Sequence, residues 1–407
     1  MNNLIFEKAL NLSSPWYIKN IEFSAENKKL DIHIDFKKGS SFSYDGQGTY
    51  KAYDTVQKTW RHLNFFEHEC YLHSRVPIIR PEGGKRRQIK APWEGVNSGF
   101  TMLFEALLIE LCAHMSIQSV ADMVNVDDEK LWRILHKYVD QAREEVDLSI
   151  LTRVGLDETS KSKGHNYVTC FVDMDQKKTV YVAEGKDNKT VIEFVDDLKN
   201  HQGSPENITD VSSDMSPAFI KGIHENLPNA SITFDRFHLM QFITKAVDQV
   251  RKEEVKENPL LKKTKYLWLK NLSNLTPKEC QKITELRKHK YKLKTLRATQ
   301  IKEAFQDLYS AETKHEFTQG LKRWYSWARR SRLEPMKEAA LSIKKHWNGV
   351  IQWFDTRLSN GFLEGMNSKI QTAKRRAFGY RTFKSYATII YMLTAKLDFS
   401  KINPCLK

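Results

Sequence analysis

Residues 151–240 contain five short apolar runs separated by turns and by two amphipathic segments. Their order predicts three strands, a helix, a strand, a second helix and a final strand. The first, fourth and fifth of these strands end at or just before Asp157, Asp214 and Asp235, respectively. The predicted strands are Val154–Leu156, Tyr167–Val172, Thr179–Ala183, Ile208–Ser212 and Ser231–Phe234, and the predicted helices are Lys189–Leu198 and Pro217–Leu227.

This order of elements is that of an α/β RNase H-like core, in which the first and fourth strands lie side by side. The ends of those two strands would bring Asp157 and Asp214 together. Phosphodiester hydrolysis or transfer needs an activated oxygen nucleophile and a stabilised leaving oxygen, and two Mg²⁺ ions held by carboxylates provide both. The sequence therefore predicts a metal-dependent phosphoryl-transfer site that needs a third carboxylate.

A helix after residue 358 provides a candidate for that carboxylate. Its polar residues Glu364, Asn367, Ser368 and Gln371 share one face. Three consecutive cations, Lys374, Arg375 and Arg376, follow one turn later and are placed to meet backbone phosphates.

The basic residues are concentrated in the C-terminal half of the chain. Residues 241–350 contain 26 Lys and Arg against 12 Asp and Glu, and residues 351–407 contain 10 against 3. A polyanion is the natural partner of such a surface. The alternative is a solvated basic helix face.

Residues 116–135 predict two short helices around a tight turn at Asn125-Val126. Asp127 is placed to cap the second helix, on which Lys130 and Arg133 could reach base edges. The pattern indicates a helix-turn-helix, in which the second helix enters the major groove. An ordinary helix pair fits the same pattern.

The whole chain is predicted to contain an RNase H-like core interrupted by an all-helical insertion domain and preceded by a small β-rich module and a helix-turn-helix. The predicted parts are a β-rich module at 1–95, the helix-turn-helix at 96–148, the first part of the core at 149–240, a basic helical insertion at 241–350, and the C-terminal part of the core with the catalytic Glu at 351–407.

Other features limit the class of protein. No apolar run reaches the roughly 18 residues that a membrane span needs. The cysteines are odd in number and scattered, which fits neither a disulfide framework nor a metal cluster and indicates a reducing cytoplasm; they are Cys70, Cys112, Cys170, Cys280 and Cys405.

Several motifs resemble those of the bacterial insertion-sequence transposases of the ISL3 family, a branch of the DDE transposases, over about residues 40–395. The matching motifs are Tyr53-Asp54, Trp60-Arg61-His62-Leu63, Ser98-Gly-Phe-Thr, Gly155-Leu-Asp-Glu, Ser213-Asp-Met-Ser-Pro, Phe234-Asp-Arg-Phe-His and Ser359-Asn-Gly-Phe-Leu-Glu-Gly-Met-Asn.

The resemblance implies that Asp157, Asp214 and Glu364 are the catalytic and metal-binding triad, and that Asp235 and His238 form a secondary motif. It implies Mg²⁺-dependent cleavage and strand transfer at terminal inverted repeats, with Mn²⁺ as a substitute metal. Double-stranded DNA, as element ends and as target, would be the partner. Lys130, Arg133, Lys369, Lys374, Arg375 and Arg376 are the candidate DNA-binding residues. We expect a homodimer on DNA, associated with the bacterial nucleoid, and no membrane contact.

Members of the family usually begin with a zinc module built on Cys-x-x-Cys pairs. The matching stretches here, Phe42-Ser-Tyr-Asp-Gly-Gln-Gly and Ile79-Arg-Pro-Glu-Gly-Gly-Lys, contain no cysteine, and four-ligand zinc needs Cys or His at those corners. We therefore expect no structural zinc and a module held by Tyr44, Trp60 and Phe65. The alternative is a decayed copy.

Structural roles are the alternatives for the site residues. Asp157 would be a surface charge, Asp214 a helix cap, and Glu364 a partner of Lys369. Asp235 would cap a helix, His238 would lie in the core, and Trp324 and Trp327 would be core residues rather than base-stacking wedges. A DNA-binding protein or repressor derived from a transposase and without catalysis is the alternative function.

Overall fold

The computed structural model describes residues 2–44, 48–81, 84–96, 99–162, 164, 166–271, 274–288, 293–358 and 361–406. The motif residues Asp45-Gly46-Gln47, Glu82-Gly83, Ser98 and Ser359-Asn360 lie outside the described residues. The chain divides into two units, Met1–Val146 with Thr372–Lys407, and Asp147–Gln371.

The N-terminal region is rich in β-structure, as predicted. Its elements are α1 (Asn2–Ala9), β1 (Trp16–Ser24), β2 (Lys29–Phe36), β3 (Ser41–Ser43), β4 (Thr49–Lys51), β5 (Asp54–Phe65), β6 (His68–Ile79) and β7 (Arg87–Gln88). The hairpin predicted at residues 20–36 is confirmed by the antiparallel pairing of β1 with β2. The main sheet has the order β1-β2-β6-β5, with β7 on β6, and β3 pairs with β4.

Aromatic residues fill the core of this region. Trp60 has no exposed surface, and its ring meets that of Trp93 edge-on at 5.6 Å. Trp16 contacts Trp93 in the same way at 5.1 Å. The expected role of Trp60 is confirmed, and Tyr44 packs against the cluster. Phe65 is 38% exposed and reaches the cluster only at its edge, through Phe6, with ring centroids 5.6 Å apart.

Purified protein should contain no stoichiometric zinc, and chelation should leave its melting temperature unchanged. Three side chains of the β-rich region that could serve as zinc ligands, those of His62, Cys70 and His73, make other contacts or are held in a form that binds zinc poorly. His62 Nδ1 lies 2.8 Å from Thr101 Oγ1, and burial raises the pKa of the Cys70 thiol to about 12, which opposes the thiolate that zinc requires. His73 Nε2 lies 2.6 Å from Asp31 Oδ1.

Elemental analysis after dialysis, with and without EDTA, measures this directly. One zinc per chain that survives dialysis would contradict the prediction and would require ligands among His62, His68, Cys70 and His73.

The two helices around a tight turn are confirmed as α3 (Ile117–Val124) and α4 (Asp128–Glu144), preceded by α2 (Met102–His114). Asn125 ends α3 in the left-handed conformation at φ 54°, which Asn tolerates better than most residues. The Asp127 side chain accepts a hydrogen bond from Glu129 N and caps α4 as predicted.

Residues after 371 complete the core of α2–α4. Helix α15 (Phe383–Thr394) contributes the buried Ile389 to it, and Phe399 and Ile402 pack at its edge. Asn403 Nδ2 donates to Met102 O at 2.8 Å and to Tyr138 Oη at 2.9 Å.

The second unit contains a five-stranded sheet of order β10-β9-β8-β11-β12. Its elements are β8 (Arg153–Ser162), β9 (Asn166–Asp173), β10 (Lys178–Glu184), α5 (Asn188–Asn200), β11 (Asp210–Ser213), α6 (Pro217–Asn226) and β12 (Ser231–Phe234). All of these elements were predicted, and β8 and β11 are neighbours in parallel, as expected. β8, however, continues through Asp157 to Ser162, because that stretch pairs with β9; the predicted strand end at Asp157 was wrong.

The helical region that follows is also confirmed. Its helices are α7 (Arg236–Glu257), α8 (Lys265–Leu269), α9 (Pro277–Lys288), α10 (Lys294–Asp307), α11 (Lys314–Arg329), α12 (Glu334–Lys345), α13 (Trp347–Thr356) and α14 (Gly361–Arg376). Trp324 is buried and donates through Nε1 to Ile301 O at 2.9 Å, so it is a core residue. Trp327 is 40% exposed.

Candidate active site

The parallel register of the central strands aligns three aspartates at one end of the sheet. Ser212 of β11 pairs with Gly155 of β8, so Asp157 and Asp214 each lie two residues beyond a paired position. Asp235 follows β12 directly, level with Asp214, because Ser213 pairs with Phe234. Alternation along a strand places residues two apart on the same face. The sheet therefore brings Asp157 and Asp214 to one edge, with Asp235 beside them.

Electrostatics show that these carboxylates interact. Burial raises the pKa of Asp157 to about 6, and the negative charges of Asp235 and Asp214 add to that rise. The positive charge of His238 and a hydrogen bond from Glu158 N, at 2.9 Å, oppose it. Burial and Asp214 also raise the pKa of Glu158. Like charges held together in a partly desolvated position favour a bound cation.

Asp214 and Asp235 also make local contacts. Asp214 Oδ1 accepts a hydrogen bond from Ser216 N at 2.9 Å and so fixes the turn before α6. Asp235 is buried at the N-cap position of α7, but its side chain makes no capping hydrogen bond to that helix, and its Oδ2 lies 4.0 Å from His238 Nε2. The turn contact of Asp214 is compatible with a place in a carboxylate cluster, because a carboxylate offers several lone-pair sites.

Helix α14 is hydrogen-bonded to the strand that carries Asp157. Asn367 Nδ2 donates to Asp157 Oδ2 at 2.5 Å, and Gln371 Nε2 donates to Thr159 Oγ1 at 2.6 Å and to Ser160 O at 3.1 Å. The approach is close at Gly155, where a Cβ would lie 2.5 Å from Met174 Sδ and 3.0 Å from Leu363 Cδ1. The predicted polar face of α14 therefore points its Asn and Gln at β8.

Glu364 is exposed on α14 and borders a cleft of about 410 Å³ together with Asp235, Phe237 and Gln306. No ion pair with Lys369 is present among the described residues, so the alternative role of Glu364 as a partner of Lys369 is not realised. Glu364 and Asp235 line the same cleft, whereas Asp157 is engaged by Asn367.

The side chains of Asp157, Asp214 and Asp235 suit a hard divalent cation, because they are carboxylates and because their negative charges repel one another when no cation is bound. Within the described part of the chain, no three His, Cys, Asp or Glu side chains are placed as a group to hold a metal ion. Asp157, Asp214 and Asp235 lie at the same end of the sheet. Glu364 lines the adjoining cleft.

The candidate DNA-binding residues occupy two regions. Lys130 and Arg133 are exposed on α4 and border a cleft of about 250 Å³ that Thr59, Arg61 and Tyr71 of the first sheet also line. Lys369, Arg375 and Arg376 are exposed on α14. Lys374 is half-buried, and that burial lowers its pKa.

Two features of the site were not predicted. Thr159 and Ser160 extend β8 beyond Asp157 and receive Gln371, and the polar sequence after Asp157 gave no apolar period to indicate it. The cleft that joins α4 to the first sheet depends on contacts between distant parts of the sequence.

Comparisons with known proteins agree with this architecture. Residues 154–390 match the profile of the DDE domain of family ISL3, described as a transposase, and residues 90–139 match the helix-turn-helix domain of transposase family ISL3. The transposase for insertion sequence element IS1557 of Mycobacterium tuberculosis is 26% identical over 354 residues, which cover 80% of this chain and 79% of that protein. The transposase for IS1001 of Bordetella parapertussis is 25% identical over 347 residues, which cover 81% and 83%.

None of the helices among the described residues combines the length and the apolar character that a membrane crossing requires. The DDE profile spans 237 of the 407 residues, from 154 to 390. With its helix-turn-helix, its sheet of aligned aspartates and this match, the chain belongs to the ISL3 family of DDE transposases and is a DNA transposase.

Proposed function

We propose that this transposase binds the terminal inverted repeats of an insertion sequence and catalyses metal-dependent DNA cleavage and strand transfer. Asp157, Asp214 and Glu364 are the proposed catalytic and metal-binding residues, with Mg²⁺ as the metal and Mn²⁺ as its substitute. The observation that carries the proposal is the strand register that aligns Asp157 with Asp214 beside a helix bearing Glu364.

We propose further that the second unit has an RNase H-like fold. Three antiparallel strands, β10, β9 and β8, are followed by two strands parallel to β8, and α5 and α6 precede the two parallel strands in the chain. That order supports the assignment. The proposed parts are 1–95, 96–148, 149–240, 241–350 and 351–407. Within the last part, α14 lies on the core as far as Gln371, whereas residues after 371 belong with the first unit and pack with α2–α4.

The residues of this chain have distinct roles in the proposed mechanism. When bound, Mg²⁺ would activate the oxygen nucleophile and stabilise the leaving oxygen. Asn367 orients the Asp157 carboxylate, and Gln371 ties α14 to β8. Asp235 and His238 form the secondary motif, in which His238 Nε2 lies 4.0 Å from Asp235 Oδ2.

DNA recognition would be divided between two surfaces. Phosphate contacts supply affinity without sequence information, and base contacts supply the choice of sequence. Lys130 and Arg133, on the second helix of the helix-turn-helix, are proposed to contact bases. Lys369, Lys374, Arg375, Arg376 and the basic helical region are proposed to contact phosphates. Each element end needs its own catalytic site, so we propose a homodimer on DNA, associated with the nucleoid in the cytoplasm.

The test is a cleavage and joining assay on labelled element ends with Mg²⁺. We expect nicking at the element boundary, joining to a target duplex, and loss of both in EDTA. Binding to element ends without any cleavage in Mg²⁺ or Mn²⁺ would contradict the catalytic proposal. Single Ala variants at Lys130 and Arg133 test the proposed base contacts. A deletion of residues 1–145 would be less informative, because it would remove α2 and α4 and so expose residues 389–402, which share a core with them.

Replacing Asn367 with Ala should lower the cleavage rate about 10–100-fold, since groups that orient a metal ligand typically contribute that much. DNA affinity should be unchanged. Gly365→Ala is a matched control on the same helix, because a Cβ there meets no atom within 4 Å. If the Asn367 variant cleaves as fast as the Gly365 variant, Asn367 does not position Asp157.

A further inference from the structure

Phe378 is fully exposed just beyond the C-terminal end of α14. Its side chain keeps 101% of its reference accessible surface. Single exposed apolar residues are common and need no explanation by themselves. Phe378 differs from an ordinary exposed apolar residue in its backbone conformation, in the contacts that hold its neighbours and in the positive charge around it.

The backbone at Phe378 is in the left-handed region, at φ 53°. This conformation is uncommon for a bulky residue, and helix ends normally place Gly or Asn there. Two hydrogen bonds close the turn, from Phe378 N to Arg375 O at 3.2 Å and from Gly379 N to Lys374 O at 2.9 Å. A large aromatic side chain therefore occupies a position that the fold alone would fill better with Gly or Asn.

The turn that carries Phe378 is anchored on both sides. Tyr380 stacks on Tyr386 with ring centroids 5.4 Å apart and meets Trp132 edge-on at 6.1 Å. Arg376 Nη1 donates to His114 O at 2.8 Å. The backbone that carries the exposed ring is therefore held in place by its neighbours on both sides.

The chain around Phe378 is strongly basic. Residues 365–397 contain no Asp or Glu, and their seven cations are Lys369, Lys374, Arg375, Arg376, Arg381, Lys384 and Lys396. Arg375, Arg376 and Arg381 are exposed and flank the ring in sequence. Such a surface complements the phosphates of a nucleic acid and would repel a cationic partner.

Phe66 provides a contrast within the same chain. It is 85% exposed and also has a left-handed backbone, at φ 53°. Its ring, however, rests against Phe65 at 4.8 Å, and acidic Glu67 and Glu69 follow it. Phe378 combines the same exposure with an opposite electrostatic setting.

We propose that Phe378 stacks on a nucleobase of DNA that is unpaired or unstacked, while Arg375, Arg376 and Arg381 hold the flanking phosphates. Aromatic side chains bind exposed bases by stacking, and apolar wedges stabilise distorted duplex steps. The inference rests on the proposed DNA-binding function and adds to it a specific occupant, an exposed base, and the residue that contacts it.

The experiment measures equilibrium binding of the full chain, in EDTA, to two labelled duplexes of equal length. One is fully paired and the other carries three unpaired thymines at its centre. Wild-type protein should prefer the second duplex. Phe378→Ala should weaken binding to the duplex with unpaired bases about tenfold and leave binding to the paired duplex unchanged, whereas Phe378→Trp should keep the preference. Phe66→Ala should behave as wild type with both duplexes.

Phe378→Asn distinguishes a stacking role of Phe378 from a role in folding. Asn adopts the left-handed backbone more readily than Phe, so this variant should melt at the same temperature as wild type or higher, and it should lose the preference for the duplex with unpaired bases. The proposal would be overturned if wild type and Phe378→Ala preferred the duplex with unpaired thymines equally, or if Phe378→Ala lost the same affinity for both duplexes. It would also be overturned if Phe378→Ala kept the preference but changed the molecular mass of the protein in solution, because Phe378 would then contact a second copy of the chain. Absence of binding to either duplex would contradict the proposed function as well.

Discussion

Replacing Asp157, Asp214 or Glu364 with Ala should abolish cleavage and joining while leaving binding to element ends largely intact. Loss of a metal ligand removes several kcal/mol of transition-state stabilisation, which corresponds to a rate reduction of about 10³-fold or more. None of the three substitutions removes a cation from the DNA-binding surface. The measurement is a single-turnover cleavage assay beside a binding curve for each variant.

The matched control is Asp210→Ala, which removes a carboxylate from the start of β11, at the opposite end of that strand from Asp214. Asp210 lies outside the carboxylates near Asp157, so this variant should keep most of the activity. Any triad variant that joins strands at a rate near that of wild type would show that its residue is wrongly assigned.

Asp157→Asn adds a readout that does not depend on activity. Burial and the nearby aspartates raise the pKa of Asp157, so its charged form is disfavoured when no cation is bound. The Asn variant should therefore melt at the same temperature as wild type, or higher, in EDTA. A lower melting temperature would indicate a structural rather than a catalytic role for this carboxylate.

Replacing Lys374, Arg375 and Arg376 together with Ala should weaken binding to all DNA sequences alike and make it less sensitive to salt. Each phosphate contact contributes about 0.9 to the slope of log affinity against log salt. Loss of three contacts would lower the slope by about 2.7, which is about 40-fold in affinity over a fourfold range of salt. Half-buried Lys374 should contribute least of the three.

The control changes net charge equally but in the acidic part of the chain. Lys189, Lys199 and Lys221 are exposed, and residues 151–240 contain 14 Asp and Glu against 10 Lys and Arg. Their triple Ala variant should keep the wild-type slope. Binding curves for cognate and random duplex at several salt concentrations distinguish the two variants. A wild-type slope in the Lys374, Arg375 and Arg376 variant would place the phosphate contacts elsewhere.

Local sequence patterns predicted much of this fold. Apolar runs that stop at Asp214 and Asp235 indicated strands β11 and β12, and the Asn125-Val126 turn with its Asp127 cap indicated α3 and α4. These features depend on neighbours in sequence, where period, turn chemistry and capping act directly.

Contacts between distant residues were not predictable in the same way. The alternating pattern of β2 indicates a strand but does not show that it also pairs in parallel with β6. The hydrogen bond from Asn367 to Asp157 joins residues 210 positions apart. Helix α15 was not among the predicted elements; residues 386–391 are all buried, so no apolar period marks the face that packs on α2–α4. Only the packed chain determines these partners.

The first unit is formed by two stretches of the chain that are separated in sequence, and this affects how the protein folds during synthesis. Helices α2–α4 emerge early in synthesis, but Ile389, Phe399 and Asn403, which complete their core, follow the whole of residues 147–371. At about 5–20 residues per second, those 225 residues take roughly 11–45 s to translate. During that time the part of the α2–α4 core that residues 389–403 cover is exposed, and such apolar surface makes a partly synthesised chain prone to aggregation. The unit that contains the helix-turn-helix matures only after the segment that carries the proposed catalytic residues has been synthesised.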